Sequence, residues 1–158
     1  MCIRDRPQRL DLVAFLKERV TNFRILAHQE QIAIALEVDS DHCELFTQKT
    51  LLIHILQNFV QNAIKFSPKH STITIRAIEG EKEFAIFVED EGEGIDETKD
   101  LFAPFKRYGN KGGTGLGLFL AKGAAEALGA SIHIANRPDN KGAIASLILP
   151  KTSPLAQK

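Results

Sequence analysis

The sequence predicts a two-layer α/β sandwich, a mixed and mostly antiparallel sheet covered on one face by three helices. Three stretches carry apolar residues at helical spacing, and five others alternate apolar residues with different ones, as strands do. Short turns bearing glycine or asparagine join most of those strands as neighbours, which favours hairpins.

The first helix is expected from Leu10 to Leu26, where Leu12, Val13, Leu16, Val20, Phe23 and Leu26 recur with the period of a helix. Ile32, Ile34, Leu36 and Val38 alternate as a strand. Leu51 to Phe66 forms the second helix, closed by Ser67-Pro68, because a residue before proline is pushed out of the helical region. Strands follow at Ile73–Ile78 and Phe84–Val88, with Gly80 in the turn between them. A basic, glycine-rich loop occupies Ala103 to Gly115. The third helix covers Leu116 to Leu128 and stops at Gly129. Strands at Ile132–Ala135 and Ala143–Leu149, joined through Asn140 and Gly142, complete the set.

Composition narrows the class. The 158 residues suffice for one domain with one sizeable core, and 44% of them are apolar and 25% charged, as in soluble globular proteins. Twenty basic residues balance twenty acidic ones, so net charge gives no pull toward nucleic acid or anionic lipid. No apolar run is long enough to cross a membrane within these residues, although an anchor upstream in a longer parent stays open. Cys2 and Cys43 fit neither a disulfide framework nor a zinc site and point weakly to a reducing compartment. The opening MCIRDRP has no signal-peptide character. Residues 1–8 are therefore expected to be a non-native leader, 9–150 the domain and 151–158 a tail.

On the second helix, Asn58, Asn62 and Lys65 fall in one narrow strip beside a broad apolar arc of Leu52, Ile55, Leu56, Phe59, Val60, Ala63, Ile64 and Phe66. Asparagine is a poor helix-interior residue because its amide competes for backbone hydrogen bonds. Two of them at i and i+4 fit solvated or capping residues, or a Mg²⁺ and phosphate site. An amide oxygen is a hard ligand suited to Mg²⁺, and Lys65 could supply a point charge to phosphate.

Alternation along Phe84 to Asp90 puts the Asp90 carboxylate at the end of an apolar strand face, costly unless something hydrogen-bonds it. The following Glu91-Gly92-Glu93-Gly94-Ile95 lets the backbone turn and approach a ligand closely. An adenine amino group would answer both features, and so would an ordinary strand-end turn. Further on, Gly112-Gly113-Thr114-Gly115-Leu116-Gly117-Leu118 runs into a helix, where backbone N–H groups and the helix start suit phosphate. Lys106, Arg107 and Lys111 precede it and could close on that phosphate. The loop is neither a Walker P-loop nor a dinucleotide fingerprint.

In order and spacing, these segments resemble the catalytic ATP-binding domain of the sensor histidine kinases. That domain belongs to the Bergerat-fold superfamily with DNA gyrase, the ninety-kilodalton heat-shock chaperones and the mismatch-repair ATPases. NFVQNAIKFSP, Asn58 to Pro68, is similar to the family's asparagine box, and VEDEGEGI, Val88 to Ile95, to its first glycine box. LFAPFKR, Leu101 to Arg107, resembles its phenylalanine box, and GGTGLGL, Gly112 to Leu118, its second glycine box. The likeness spans Leu10 to Pro150, and four boxes together are far more specific than any one.

The resemblance implies a role for each matching residue. Asn62 would hold Mg²⁺ through its amide oxygen, with Asn58 near phosphate or metal and Lys65 on the phosphates. Asp90 would read the adenine amino group with help from a water, while Gly92, Gly94 and Ile95 let the base lie against the backbone. Phe102 and Phe105 would anchor a mobile lid, with Lys106 and Arg107 reaching toward the phosphates. Gly113, Thr114, Gly115, Leu116 and Gly117 would shape the loop around the triphosphate. ATP and Mg²⁺ are thus the implied cofactors. The implied partners are a dimerisation and phosphoacceptor domain and a response-regulator receiver domain, in a homodimeric parent whose ATP-binding part is cytoplasmic.

One departure matters for mechanism. The family's phosphoacceptor histidine is followed by an acidic residue, whereas the five histidines here precede Gln29, Cys43, Ile55, Ser71 and Ile134. The acidic residue often found before the second helix is missing near Phe46 to Gln48, and Phe119 stands where a small residue is frequent. Three functions are then in play. The first is phosphoryl transfer to a histidine on a separate domain; the second, an ATP-hydrolysing clamp; the third, a nucleotide-binding regulatory module without catalysis. Clamp relatives carry a glutamate where Asn58 stands, and an amide cannot act as a general base.

Overall fold

The computed structural model describes residues 6–98, 100–103, 116–138 and 141–151. Seven strands and three helices follow one another along these residues. They are β1 (Gln8–Asp11), α1 (Leu12–Gln29), β2 (Ala33–Val38), β3 (Glu44–Thr47), α2 (Lys49–Phe66), β4 (Thr72–Glu79), β5 (Glu83–Glu89), α3 (Gly117–Ala127), β6 (Ser131–Asn136) and β7 (Ala143–Pro150). Five strands make the main sheet in the order β2-β4-β5-β7-β6. Only β2 and β4 pair in parallel, as expected where a helix rather than a hairpin joins two strands; the other pairs are antiparallel.

Register places one face of this sheet in the core. Ile75 and Ala77 of β4 lie beside Val88 and Ile86 of β5, and Val88, Ile86 and Phe84 in turn oppose Ala145, Leu147 and Leu149 of β7. The helices cover that face, α1 beside β2, α2 over β5 and α3 beside β6. On α2, Leu52, Ile55, Leu56, Phe59, Val60 and Ala63 are buried, the arc expected from the helical wheel. The opposite sheet face carries polar links such as Arg76 Nη1 to Glu89 at 2.6 Å. Among the described residues no helix is long and apolar enough to cross a membrane.

The helix ends follow from local chemistry. Backbone at Ser67 turns extended (φ −85°, ψ 143°) before Pro68, ending α2 where proline forbids another turn. Gly129 sits at φ +72° just beyond α3, the left-handed stop expected of it. α1 begins at Leu12 rather than Leu10. The Asp11 side chain accepts from Val13 N at 3.2 Å and caps the helix, and Leu10 belongs instead to β1. β1 and β3 form a separate antiparallel ribbon, Gln8 opposite Thr47 and Asp11 opposite Glu44. Pairing therefore takes in Gln8, the last residue of the expected leader. At the other end Lys151 N donates to Lys82 O at 3.0 Å, and Lys151 Nζ pairs with Glu79 at 2.6 Å.

Candidate nucleotide site

Where the carboxyl end of β5 meets the start of β7, the chain builds a cavity between sheet and helices. Phe59, Ala63 and Phe66 of α2, Val88 of β5, Ile95, Leu118 of α3, Ile134 of β6 and Ala145 of β7 supply apolar wall. Polar groups are few: Asn62 from α2, Asp90 at the end of β5, and the backbone around Gly94 and Ala143. An apolar slot with a few convergent polar groups is the usual form of a small-molecule site.

Asp90 is only 9% exposed. Its Oδ1 accepts from Gly92 N at 2.9 Å and from Ala143 N at 3.1 Å. Its own N–H donates to Ala143 O at 3.0 Å, and Arg137 Nη1 donates to its carbonyl at 3.2 Å. Burial nevertheless pushes the carboxyl above its ordinary range, outweighing the two N–H donors and the Arg137 charge that favour ionisation. With Oδ1 taken by the backbone, Oδ2 is the acceptor left for a ligand, and an exocyclic amino group matches it.

Glycines let the backbone close around this carboxylate. A side chain on Gly142, at φ +113°, would run into the carbonyl of Asp90. One on Gly92 would meet the carbonyl of Phe66. The turn after β5 thus packs against the end of α2 at a distance only glycine allows.

The structure sorts the expected site residues into groups. Asn62, Asp90, Gly94 and Ile95 line the cavity together, and Gly92 braces it from behind through Asp90. Asn58 stands one turn from Asn62, where its Nδ2 donates to His54 O at 3.0 Å. Its Oδ1 faces Gly117, whose missing side chain leaves room for it; an added Cβ would lie 2.8 Å away. Leu116 immediately precedes α3 beside that contact. Lys65 lies off the cavity, its Nζ 5.6 Å from the Phe66 ring centre, and it lines a separate groove with Leu26, Ile32 and Ile64. Phe102 packs half-buried against the core under Lys122 Nζ, 5.8 Å from its ring centre. Phe105, Lys106, Arg107, Gly113, Thr114 and Gly115 lie outside the described residues.

Sequence reasoning missed the β6–β7 side of the site. Gly142 and Ala143 read as a turn residue and a strand start, and Asn136 and Arg137 drew no reading, yet these four hold Asp90 and the loop after it. The one available signal was a glycine placed immediately before the strand, where a close backbone approach was needed.

Known proteins share this fold and much of this sequence. The family described as histidine kinase-, DNA gyrase B-, and HSP90-like ATPase matches residues 47–153. The chain is 35% identical over 125 residues to the sensor protein KdpD of Clostridium acetobutylicum, covering 75% of this chain and 14% of that one. It thus spans a small part of the curated relatives it matches. Its fold superimposes on the mycobacterial sensor histidine kinase MprB with a TM-score of 0.80 at 20% identity, covering 93% of this chain and 99% of that one. The histidine kinase ThkA, solved in complex with the response regulator protein TrrA, superimposes with a TM-score of 0.79 at 24% identity, covering 92% and 42%. With that family match across more than half the chain, and with the sensor histidine kinase WalK of Bacillus subtilis 32% identical over 152 residues (89% of this chain and 24% of that one), the chain belongs to the histidine kinase-, DNA gyrase B- and HSP90-like ATPases, as a histidine-kinase-type catalytic ATP-binding domain.

Proposed function

We propose that this domain binds Mg·ATP and presents its γ-phosphate to a histidine on a separate dimerisation domain, from which the phosphoryl group passes to an aspartate of a response regulator. The observation that carries the reading is the shared cavity of Asp90 and Asn62, one suited to an adenine amino group and the other to a hard cation. Asn62 fits Mg²⁺ by its donor chemistry, since this ion keeps several waters and phosphate oxygens and needs few protein ligands. When bound, the cation neutralises phosphate charge; the chain's own residues bind and orient the nucleotide. Phosphoryl transfer depends mainly on positioning and charge neutralisation, so a domain without a general base is adequate. The cytoplasm, where ATP is abundant, is the compartment in which such a domain would work, within a dimeric parent.

Radiolabelled ATP tests the reading. The chain alone should bind ATP without labelling itself or turning it over. Adding a cognate dimerisation domain as a separate polypeptide should give an acid-labile label on that partner. Robust turnover by the chain alone, abolished by Asn62→Ala and with no labelled protein, would replace the kinase by a hydrolysing clamp.

A further inference from the structure

Asn136 ends β6 on the far side of the Asp90 loop, and both polar atoms of its carboxamide are hydrogen-bonded. Oδ1 accepts from Ile95 N at 2.7 Å, while Nδ2 donates to Ile95 O at 3.0 Å and to Glu97 Oε1 at 3.0 Å. One side chain thus pairs with both backbone groups of Ile95, as a neighbouring strand residue would. Only an amide can do so, because it carries an acceptor and two donors on one planar group. The orientation is fixed as well: turned over, it would set NH₂ against N–H and oxygen against two oxygens.

Gly94 is the complement of this clamp. It holds φ +85°, and a side chain there would strike Asn136 Oδ1. Gly94 and Ile95 both line the cavity that holds Asp90, whereas Asn136 does not. We infer that Asn136 is a positioning residue for nucleotide binding: by pinning Ile95 it fixes the loop against which the base lies. The inference rests on the nucleotide reading of the cavity, but its first consequence does not. In the nucleotide-free protein, Asn136→Ala should speed hydrogen exchange at the Ile95 amide at least tenfold over wild type, with amides in the middle of β5 unchanged.

With nucleotide, Asn136→Ala should weaken ATP and ADP by the same factor, about fivefold to tenfold, with unchanged Mg²⁺ dependence, because the lost contact concerns the base end. A purely structural role would lower the melting temperature without this local exchange signature. Should Asn136→Ala not fold, Asn136→Asp serves. It keeps the acceptor for Ile95 N but turns a carboxylate toward Ile95 O and Glu97, and adding Glu97→Gln should restore part of the loss. Wild-type exchange at Ile95 in Asn136→Ala, or ATP affinity within twofold of wild type in either variant, overturns the inference. Absence of ATP binding by the wild-type protein would instead overturn the nucleotide reading and leave the exchange test standing.

Discussion

Asp90 and Ala143 hold each other by two hydrogen bonds, Asp90 N to Ala143 O at 3.0 Å and Ala143 N to Asp90 Oδ1 at 3.1 Å. A carboxylate oxygen has been inserted into a strand pairing, and from that anchored position Asp90 lines the cavity. Asp90→Asn keeps an oxygen for Ala143 and Gly92 but offers NH₂ where an adenine amino group would donate. ATP affinity should fall at least about tenfold, or about 1.4 kcal/mol, and the preference for ATP over GTP should disappear. Calorimetry with both nucleotides measures this.

Stability should move the other way. A buried carboxyl with a raised folded value holds its proton more tightly when folded, so its ionisation costs stability as pH climbs through that value. Asparagine does not ionise. Nucleotide-free Asp90→Asn should therefore melt at or above the wild-type temperature at pH 7, and the gap should close as pH falls below the folded value of Asp90. A variant less stable at pH 7 than at acid pH relative to wild type would contradict the assigned burial cost.

Two glycines make a matched pair of tests. Gly142→Ala forces a side chain into the Asp90 carbonyl at φ +113° and should cost about 1–3 kcal/mol, with loss of nucleotide binding. Gly123→Ala lies on α3 with nothing within 4 Å of the added carbon, and should be neutral or stabilising by about 0.5–1 kcal/mol. Thermal melts of the two variants side by side check both signs.

Asn62→Ala should weaken ATP in the presence of Mg²⁺ and leave binding in EDTA nearly unchanged. Asp90→Asn should weaken both. Titrations with and without the cation separate the two ends of the cavity, and equal metal dependence in both variants would show that the ends are misassigned.

Cys43 is buried in the core, and burial together with the neighbouring Glu79 carboxylate pushes its thiol up to about 11. Thiolate, the reactive form, is then scarce near neutral pH. In a Cys2→Ser background the native protein should not react with a chromogenic disulfide at pH 8, and one thiol should appear on unfolding. Prompt reaction in the native state would mean that this part of the core opens readily.

Much of this was legible in the sequence because the signals were long or local. α2 repeats its apolar spacing over 18 residues, and Gly129 marks the end of α3 by its own backbone freedom. Asp90 stood out because a carboxylate continuing Phe84, Ile86 and Val88 conflicts with burial. β1 and β3 were not legible: each has four residues, too few for a period to show, and Arg9 and Glu44 meet only once the ribbon has formed. Asn136 and Ala143 escaped for a different reason. Their roles come from partners 41 and 53 residues away, and no local pattern encodes a contact at that range.

β5 is the middle strand of the main sheet, and Asp90, proposed to read the base, is its next residue. A ligand held by Asp90 would therefore be anchored to the centre of the sheet. Nucleotide at a hundred times its dissociation constant would add about 2.7 kcal/mol to global stability, rather than merely quieting a loop. Were the proposed nucleotide to fall below its dissociation constant, that added stability would go, and with it part of the domain's resistance to proteolysis.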